Sequence, residues 1–253
     1  MPARGDTPDG APIWIDLGTD DLPAAVAFYT ALFGWEHVDF GEEFGHYGQF
    51  LLRGEPVAGV GPHQVTGQPS EWGVYLAASD ADAAVTAVIE NGGTVVMGPD
   101  DVPGQGRWAM TTDPTGIGLA FWQPQEHRGF ARVMEAGAPC WFEVWTTTYD
   151  TTCAFYRDAV GWDLHDVPGD DGFRYATNGP QESATAGIYG VADDEGPSRW
   201  LVYLGADDVD AAASRATELG ATVHGEPVDT PYGRQVDVTD PTGAPFRLLA
   251  APA

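Results

Sequence analysis

The chain has 253 residues, 43% of them apolar and 11% aromatic, which suits two ordinary domains with buried cores and argues against wholesale disorder. It carries 38 acidic against 11 basic residues, a formal net charge of -27, and all 11 basic residues are Arg. The lack of Lys excludes a lysine Schiff base and a Walker-type phosphate loop. The acid excess speaks against nucleic acid and against anionic membrane surfaces.

No apolar run approaches the roughly 18–20 residues needed to span a bilayer. Residues 1–11 lack an apolar segment of the kind a signal peptide needs and read as a short mobile leader. Cys140 and Cys153 form neither a disulfide framework nor a C-x-x-C site, and they read as buried apolar residues of a cytoplasmic protein.

In chain order, Ile13, Ile15 and Leu17 alternate with Trp14 and Asp16, the period of a strand. Asp21-Leu22-Pro23 then starts a helix on which Leu22, Val26, Tyr29 and Phe33 follow at helical spacing, and Gly34 stops it. Short strands are expected around Glu36–Phe40, Tyr47–Arg53 and Val57–Gly61. From Trp72 the same order returns: a strand, a helix from Asp80 to Asn91, and strands near Val95, Arg107–Thr112 and Ile117–Trp122.

All of this is then written a second time. WIDLGTDDLPAAVAFYTALFGW from Trp14 lies over WFEVWTTTYDTTCAFYRDAVGW from Trp141. WGVYLAASDADAAVTAVIENGGTV from Trp72 lies over WLVYLGADDVDAAASRATELGATV from Trp200. GRWAMTTDPTG from Gly106 lies over GRQVDVTDPTG from Gly233. Residues 12–124 and 139–253 therefore read as two domains of two strand-helix-strand-strand-strand units each, joined by a linker over 125–138. Asp113–Gly116 and Asp240–Gly243, both DPTG, read as turns. Arg107 and Arg234, each after a loop glycine, read as rim anchors or internal salt bridges.

A paired β-α-β-β-β unit with AFYTALFGW, VYL followed by D-x-D-A-A, GGTV and DPTG in this order resembles the vicinal oxygen chelate superfamily of glyoxalases, bleomycin-resistance proteins and extradiol dioxygenases. It is most similar to the tandem two-module actinobacterial glyoxalase-like branch. The resemblance covers Pro12 to Ala251 and implies an α+β fold in which each pair of units curls a mixed sheet into a cup. It also implies that metal-dependent members place His, Gln or Glu on the first strand and on a late strand, where a divalent metal chelates neighbouring substrate oxygens. Those positions fall on Trp14 and Trp141, on Ala120 and Arg247, and on Trp72 or Val74 and Trp200 or Val202. None of these side chains is a metal ligand. The six histidines form no H-x-x-x-H pair and read as surface or capping residues.

If the family's ligand position points into the cup, so do Trp14 and Asp16 in the first half and Trp141, Glu143 and Trp145 in the second. Trp72, Trp122, Trp200 and Arg247 complete the candidate ligand-binding set. Indoles beside a carboxylate suit a flat, apolar, positively charged ligand. The expected function is thus non-catalytic binding or sequestration of an aromatic cationic small molecule or antibiotic, in resistance or natural-product metabolism, by a monomer or homodimer without metal or cofactor. Two enzyme readings stay open beside it: a metal-dependent lyase or dioxygenase, and a metal-free enzyme using Asp16 or Glu143 as general base.

Overall fold

A computed structural model describes residues 7–63, 67–170, 172–192 and 196–251. The first module runs β1 (Pro12–Thr19), α1 (Leu22–Phe33), β2 (Glu36–Asp39), a 3-10 turn (Glu42–Phe44), β3 (Gly48–Leu52) and β4 (Glu55–Pro62). The second runs β5 (Glu71–Ala77), α2 (Ala81–Glu90), β6 (Thr94–Val102), β7 (Gly106–Thr112) and β8 (Gly118–Pro124). The third runs β9 (Pro139–Thr146), α3 (Tyr149–Phe155), a π-helical turn (Tyr156–Val160), β10 (His165–Asp166), β11 (Tyr175–Thr177) and β12 (Gly187–Gly190). The fourth runs β13 (Arg199–Ala206), α4 (Val209–Glu218), β14 (Thr222–Thr230), β15 (Gly233–Thr239) and β16 (Pro245–Ala250).

Two eight-stranded mixed sheets result, ordered β2-β3-β4-β1-β5-β8-β7-β6 and β10-β11-β12-β9-β13-β16-β15-β14. The fold is α+β, as expected. By packing, the described residues form two compact units: one within 15–73, 130–141 and 201–251, the other within 7–14, 74–129 and 142–200. Each unit therefore takes one module from either half of the sequence. Among the described residues no helix is long and apolar enough to cross a membrane.

The acidic turn before α1, α2 and α4 has a local cause. Asp21, Asp80 and Asp208 cap α1, α2 and α4, each Oδ1 accepting from the backbone N–H three residues on. Gly34 closes α1 in the left-handed region at φ 69°, its N–H donating to the Thr30 carbonyl. Each DPTG is a turn built around its aspartate. Asp113 Oδ1 accepts from Thr115 N (2.8 Å), Thr115 Oγ1 (2.7 Å) and Ile117 N (3.0 Å). Asp240 Oδ1 does the same with Thr242 and Ala244.

In the unit holding the first and fourth modules, the core is aromatic. Tyr29 is fully buried, with Trp35 stacked at 5.6 Å, Trp72 edge-on at 5.2 Å and Phe246 tilted at 5.8 Å. In the other unit Tyr156 stands at the equivalent place, 4.6 Å from Trp162 and 5.9 Å from Trp200. The indoles that end each GW serve as core and as donors: Trp35 Nε1 to the Gly137 carbonyl (2.7 Å) and Trp162 Nε1 to the Gly10 carbonyl (2.8 Å).

Of the stretch read as a leader, residues 1–6 lie outside the described residues. Gly10 and Ala11, by contrast, exchange backbone hydrogen bonds with Ala77, and Ala11 is buried. The stretch read as a linker is likewise held, with the Ala131 N–H on the Pro56 carbonyl and the Gly137 N–H on the Gly205 carbonyl.

Candidate functional site

The sequence-derived residues fall into separate clusters. In the first module, Asp16 on β1 is half-buried between the fully buried Ile15 and Leu17. Its Oδ1 accepts from the Tyr47 hydroxyl at 2.8 Å. Tyr47 precedes β3 and reaches over β4, where Gly59 stands directly opposite Asp16 in the ladder. A Cβ at Gly59 would run into both Asp16 Oδ1 and the Tyr47 hydroxyl, so the absent side chain is what lets phenol and carboxylate meet. The Tyr47 ring lies 6.1 Å from that of Phe40, which is 6.3 Å from that of Phe44. Those two phenylalanines are 42% and 57% exposed.

The third module repeats the device. Glu143 on β9 is buried, with Oε1 accepting from the Tyr175 hydroxyl at 2.7 Å and Oε2 from Trp145 Nε1 at 2.9 Å. Gly187 on β12 stands opposite Glu143, and a Cβ there would meet the Tyr175 hydroxyl. Neither glycine has a positive φ, so the constraint is space and not backbone conformation. Gly187→Ala is expected to lose about 1–3 kcal/mol of stability, read as a shifted denaturation midpoint, because the methyl group forces Tyr175 off Glu143.

Trp14 and Trp122 come together in the unit that holds the second and third modules, but around a histidine. The His127 ring is 4.4 Å edge-on from Trp14 and 5.4 Å from Trp122, whose Nε1 donates to the His127 carbonyl at 2.9 Å. Burial pushes the His127 pKa down to about 4, and its Nε2 is buried without a hydrogen-bond partner. The expected surface role of His127 is therefore corrected: the ring is a neutral wedge between two indoles.

Trp72 and Trp200 lie toward the helices. Trp72 Nε1 donates to the Tyr29 hydroxyl at 3.0 Å, and Trp200 meets Tyr156 and Trp162. The residues of β5 and β13 that share a face with the last strand are instead Tyr75, opposite Ala120, and Tyr203, opposite Arg247. Arg247 forms a paired contact with Asp237 (2.5 and 2.8 Å) and donates to the Tyr203 hydroxyl at 2.8 Å. In the second module the corresponding row is Tyr75, Ala120 and Met110, with no charge in it. Trp141 is half-buried on β9.

The Gly-Arg pairs are internal salt bridges. Arg107 binds Asp82 and Asp101, and Arg234 binds Asp210 and Asp229. Both Asp82 and Asp210 are held below the usual carboxylate range by the hydrogen bonds from their arginines. A cavity of about 460 Å³ lies elsewhere, between Phe33, Leu52, Gly137 and Asp208. In its wall the Asp208 carboxylate accepts from the Ala211 N–H, and Arg53 pairs with Glu135.

Sequence reasoning missed Tyr47, Tyr175, Gly59 and Gly187. The signal was available, since Tyr47 and Tyr175, like Gly59 and Gly187, are related by the repeat's own offset of 128.

The model of the Glyoxalase/Bleomycin resistance protein/Dioxygenase superfamily matches residues 12–121 and again 139–248. The chain belongs to this superfamily. It is 36% identical over 255 residues to a Mycobacterium tuberculosis protein named "Putative glyoxylase CFP32", covering 98% of each chain. It is 35% identical over 270 residues to the "Anthracycline biosynthesis protein DauV" of Streptomyces sp. strain C5, covering 95% of this chain and 93% of that one. Among solved structures, the Mn(II)-bound glyoxalase of Novosphingobium aromaticivorans is similar in fold, with a TM-score of 0.69 at 19% identity over 96% of this chain and 82% of that one. So is the 2,3-dioxygenase LapB of Pseudomonas sp. KL28, with a TM-score of 0.69 at 10% identity over 98% and 94%.

The glyoxalase of similar fold holds Mn(II), and the described residues of this chain do not fit a metal. Among the described residues no group of three or more His, Cys, Asp or Glu side chains is placed to hold a metal ion. The positions that the resemblance assigns to ligands carry Trp14, Trp141, Ala120 and Arg247.

Proposed function

We propose that the protein binds and sequesters or carries an aromatic, cationic small molecule of natural-product metabolism. The observation that carries this reading is the Asp16–Tyr47 pair beside the exposed rings of Phe40 and Phe44. The carboxylate offers a charge-assisted hydrogen bond to an ammonium group, and the rings offer stacking faces and cation–π attraction worth about 0.5–2 kcal/mol. A net charge of -27 raises the local concentration of cations around any cleft. The relatives named for anthracycline biosynthesis support the ligand class, since anthracyclines are planar aromatics and many carry an amino sugar. A cytoplasmic monomer or homodimer belongs to the same reading.

A metal-free enzyme is the second reading. The Tyr47 hydroxyl donating to Asp16 is a two-member proton path, able to take a proton from a bound substrate.

Tryptophan fluorescence and chromatography of the ligand separate the two. A binder quenches on adding an amino-sugar anthracycline and returns it unchanged, and Asp16→Asn weakens affinity about tenfold to hundredfold, the worth of a hydrogen bond to a charged group. Conversion of the ligand that Asp16→Asn abolishes with binding retained would establish the enzyme instead.

A further inference from the structure

The cavity of about 460 Å³ belongs to the unit of the first and fourth modules, and none of the binding residues expected from the sequence lines it. Its floor is apolar and fixed in place. Leu52 and Ala206 are buried, and Phe33 stacks on the buried Trp35 at 5.1 Å. Trp35 Nε1 donates to the Gly137 carbonyl at 2.7 Å, and the Gly137 N–H donates to the Gly205 carbonyl at 2.8 Å, so this wall is tied on both sides.

The charge around that floor is negative. α1 ends on the cavity at Phe33 and Gly34 and has no basic residue in its last turn, so nothing there offsets the negative end of its dipole. Glu36 and Asp207 line the cavity and are both exposed. Among the described residues no hydrogen bond or ion pair engages either carboxylate. Asp208 is taken up in capping α4, its Oδ1 accepting from the Ala211 N–H at 3.0 Å. The arginine of the wall, Arg53, pairs with Glu135 at 3.2 Å, so its charge is already answered.

We propose that this cavity binds a small organic amine, with its apolar body on Phe33, Leu52 and Ala206 and its ammonium group at the edge that carries Glu36 and Asp207. The volume falls within the range of roughly 300–1,000 Å³ that small-molecule sites occupy. Apolar contact with the floor supplies affinity, and the carboxylates supply the choice of sign. An anion of the same shape would meet two like charges and the negative end of α1. A bare metal ion is not the occupant, since among the described residues no group of His, Cys, Asp or Glu is placed to hold one. The proposal goes beyond the aromatic-cation reading and does not depend on it, because neither Asp16 nor Tyr47 is part of this wall.

An NMR titration of the full chain with n-octylammonium chloride tests this, read at the indole N–H of Trp35 that donates to the Gly137 carbonyl of the wall. A saturable shift of that resonance is expected, and none from sodium n-octanoate at the same concentration. Glu36→Gln combined with Asp207→Asn should weaken binding about tenfold, the worth of two exposed ion pairs together. Ala212 lines the cavity from α4 and is half-buried, so Ala212→Phe fills the space and should abolish binding. Should that variant fail to fold, the charge variant alone decides. Asp16→Asn should bind the amine as the wild type does. A Trp35 resonance that does not move, an equal response to octanoate, or wild-type affinity in the charge variant or in folded Ala212→Phe would overturn the proposal. Loss of binding in Asp16→Asn would place the amine at the Asp16–Tyr47 pair, overturning the cavity assignment and leaving the aromatic-cation reading in place.

Discussion

Tyr29→Ala is expected to destabilise the protein by about 3–5 kcal/mol, the cost of truncating a large aromatic in a packed core. Tyr29 projects from α1 with no exposed surface and meets Phe28, Phe33, Trp35, Phe50, Trp72 and Phe246, with ring centres 5.0–6.4 Å away. Burial holds its pKa well above the ordinary phenol value, so it stays a neutral hydroxyl that accepts from Trp72 Nε1 at 3.0 Å. Tyr29→Phe removes the hydroxyl alone and leaves the Trp72 N–H buried without that acceptor, a loss of about 1–3 kcal/mol. Denaturant titrations at constant slope measure both. A loss below about 1 kcal/mol for the alanine variant would contradict the placement of Tyr29 at the centre of this core.

The second large effect is acid-dependent. Burial lowers the His127 pKa from 6.5 to about 4. Between those values the unfolded chain binds a proton that the folded chain refuses, so this contribution is complete above pH 6.5 and falls as the pH drops toward 4. Below that it levels off. The full loss is about 3 kcal/mol at the conversion of 1.36 kcal/mol per pKa unit. His127→Phe keeps a ring between Trp14 and Trp122 and removes the titration. The stability difference between wild type and this variant should therefore change by that amount between pH 7 and pH 4, while carboxylate effects common to both cancel. A difference that is flat with pH would show that His127 protonates in place.

Much of the fold is legible in the sequence because its signals are local. The Asp N-caps, Gly34 after α1 and the Asp113 and Asp240 turns each depend on a few adjacent residues, and the repeat multiplies every one of them. The face of β5 and β13 was not legible. Trp72-Gly73-Val74-Tyr75 and Trp200-Leu201-Val202-Tyr203 are apolar on both sides, so no alternation marks which residues meet the helices. What decides it is a distant partner, the Tyr29 hydroxyl for Trp72 and the Tyr156 ring for Trp200.

The site is legible in part for a similar reason. Period two on β1 and β9 identifies Asp16 and Glu143, but their tyrosines come from two strands away and pass over a glycine. His127 likewise takes its meaning from Trp14 and Trp122, which are distant or unremarkable neighbours in the sequence.

The difference between the halves has a physical consequence. In the second, Glu143 is bonded on both oxygens and covered, an arrangement that fixes a carboxylate in place. In the first, Asp16 is half-buried and accepts from the Tyr47 hydroxyl, whose ring neighbours the exposed Phe40.

The most direct test is a calorimetric titration of an amino-sugar anthracycline into chelator-treated wild-type protein and into Asp16→Asn. The account predicts saturable binding to the metal-stripped wild type, weakened about tenfold to hundredfold in the variant. Binding that appears only when a divalent metal is restored, or that Asp16→Asn leaves intact, would contradict it.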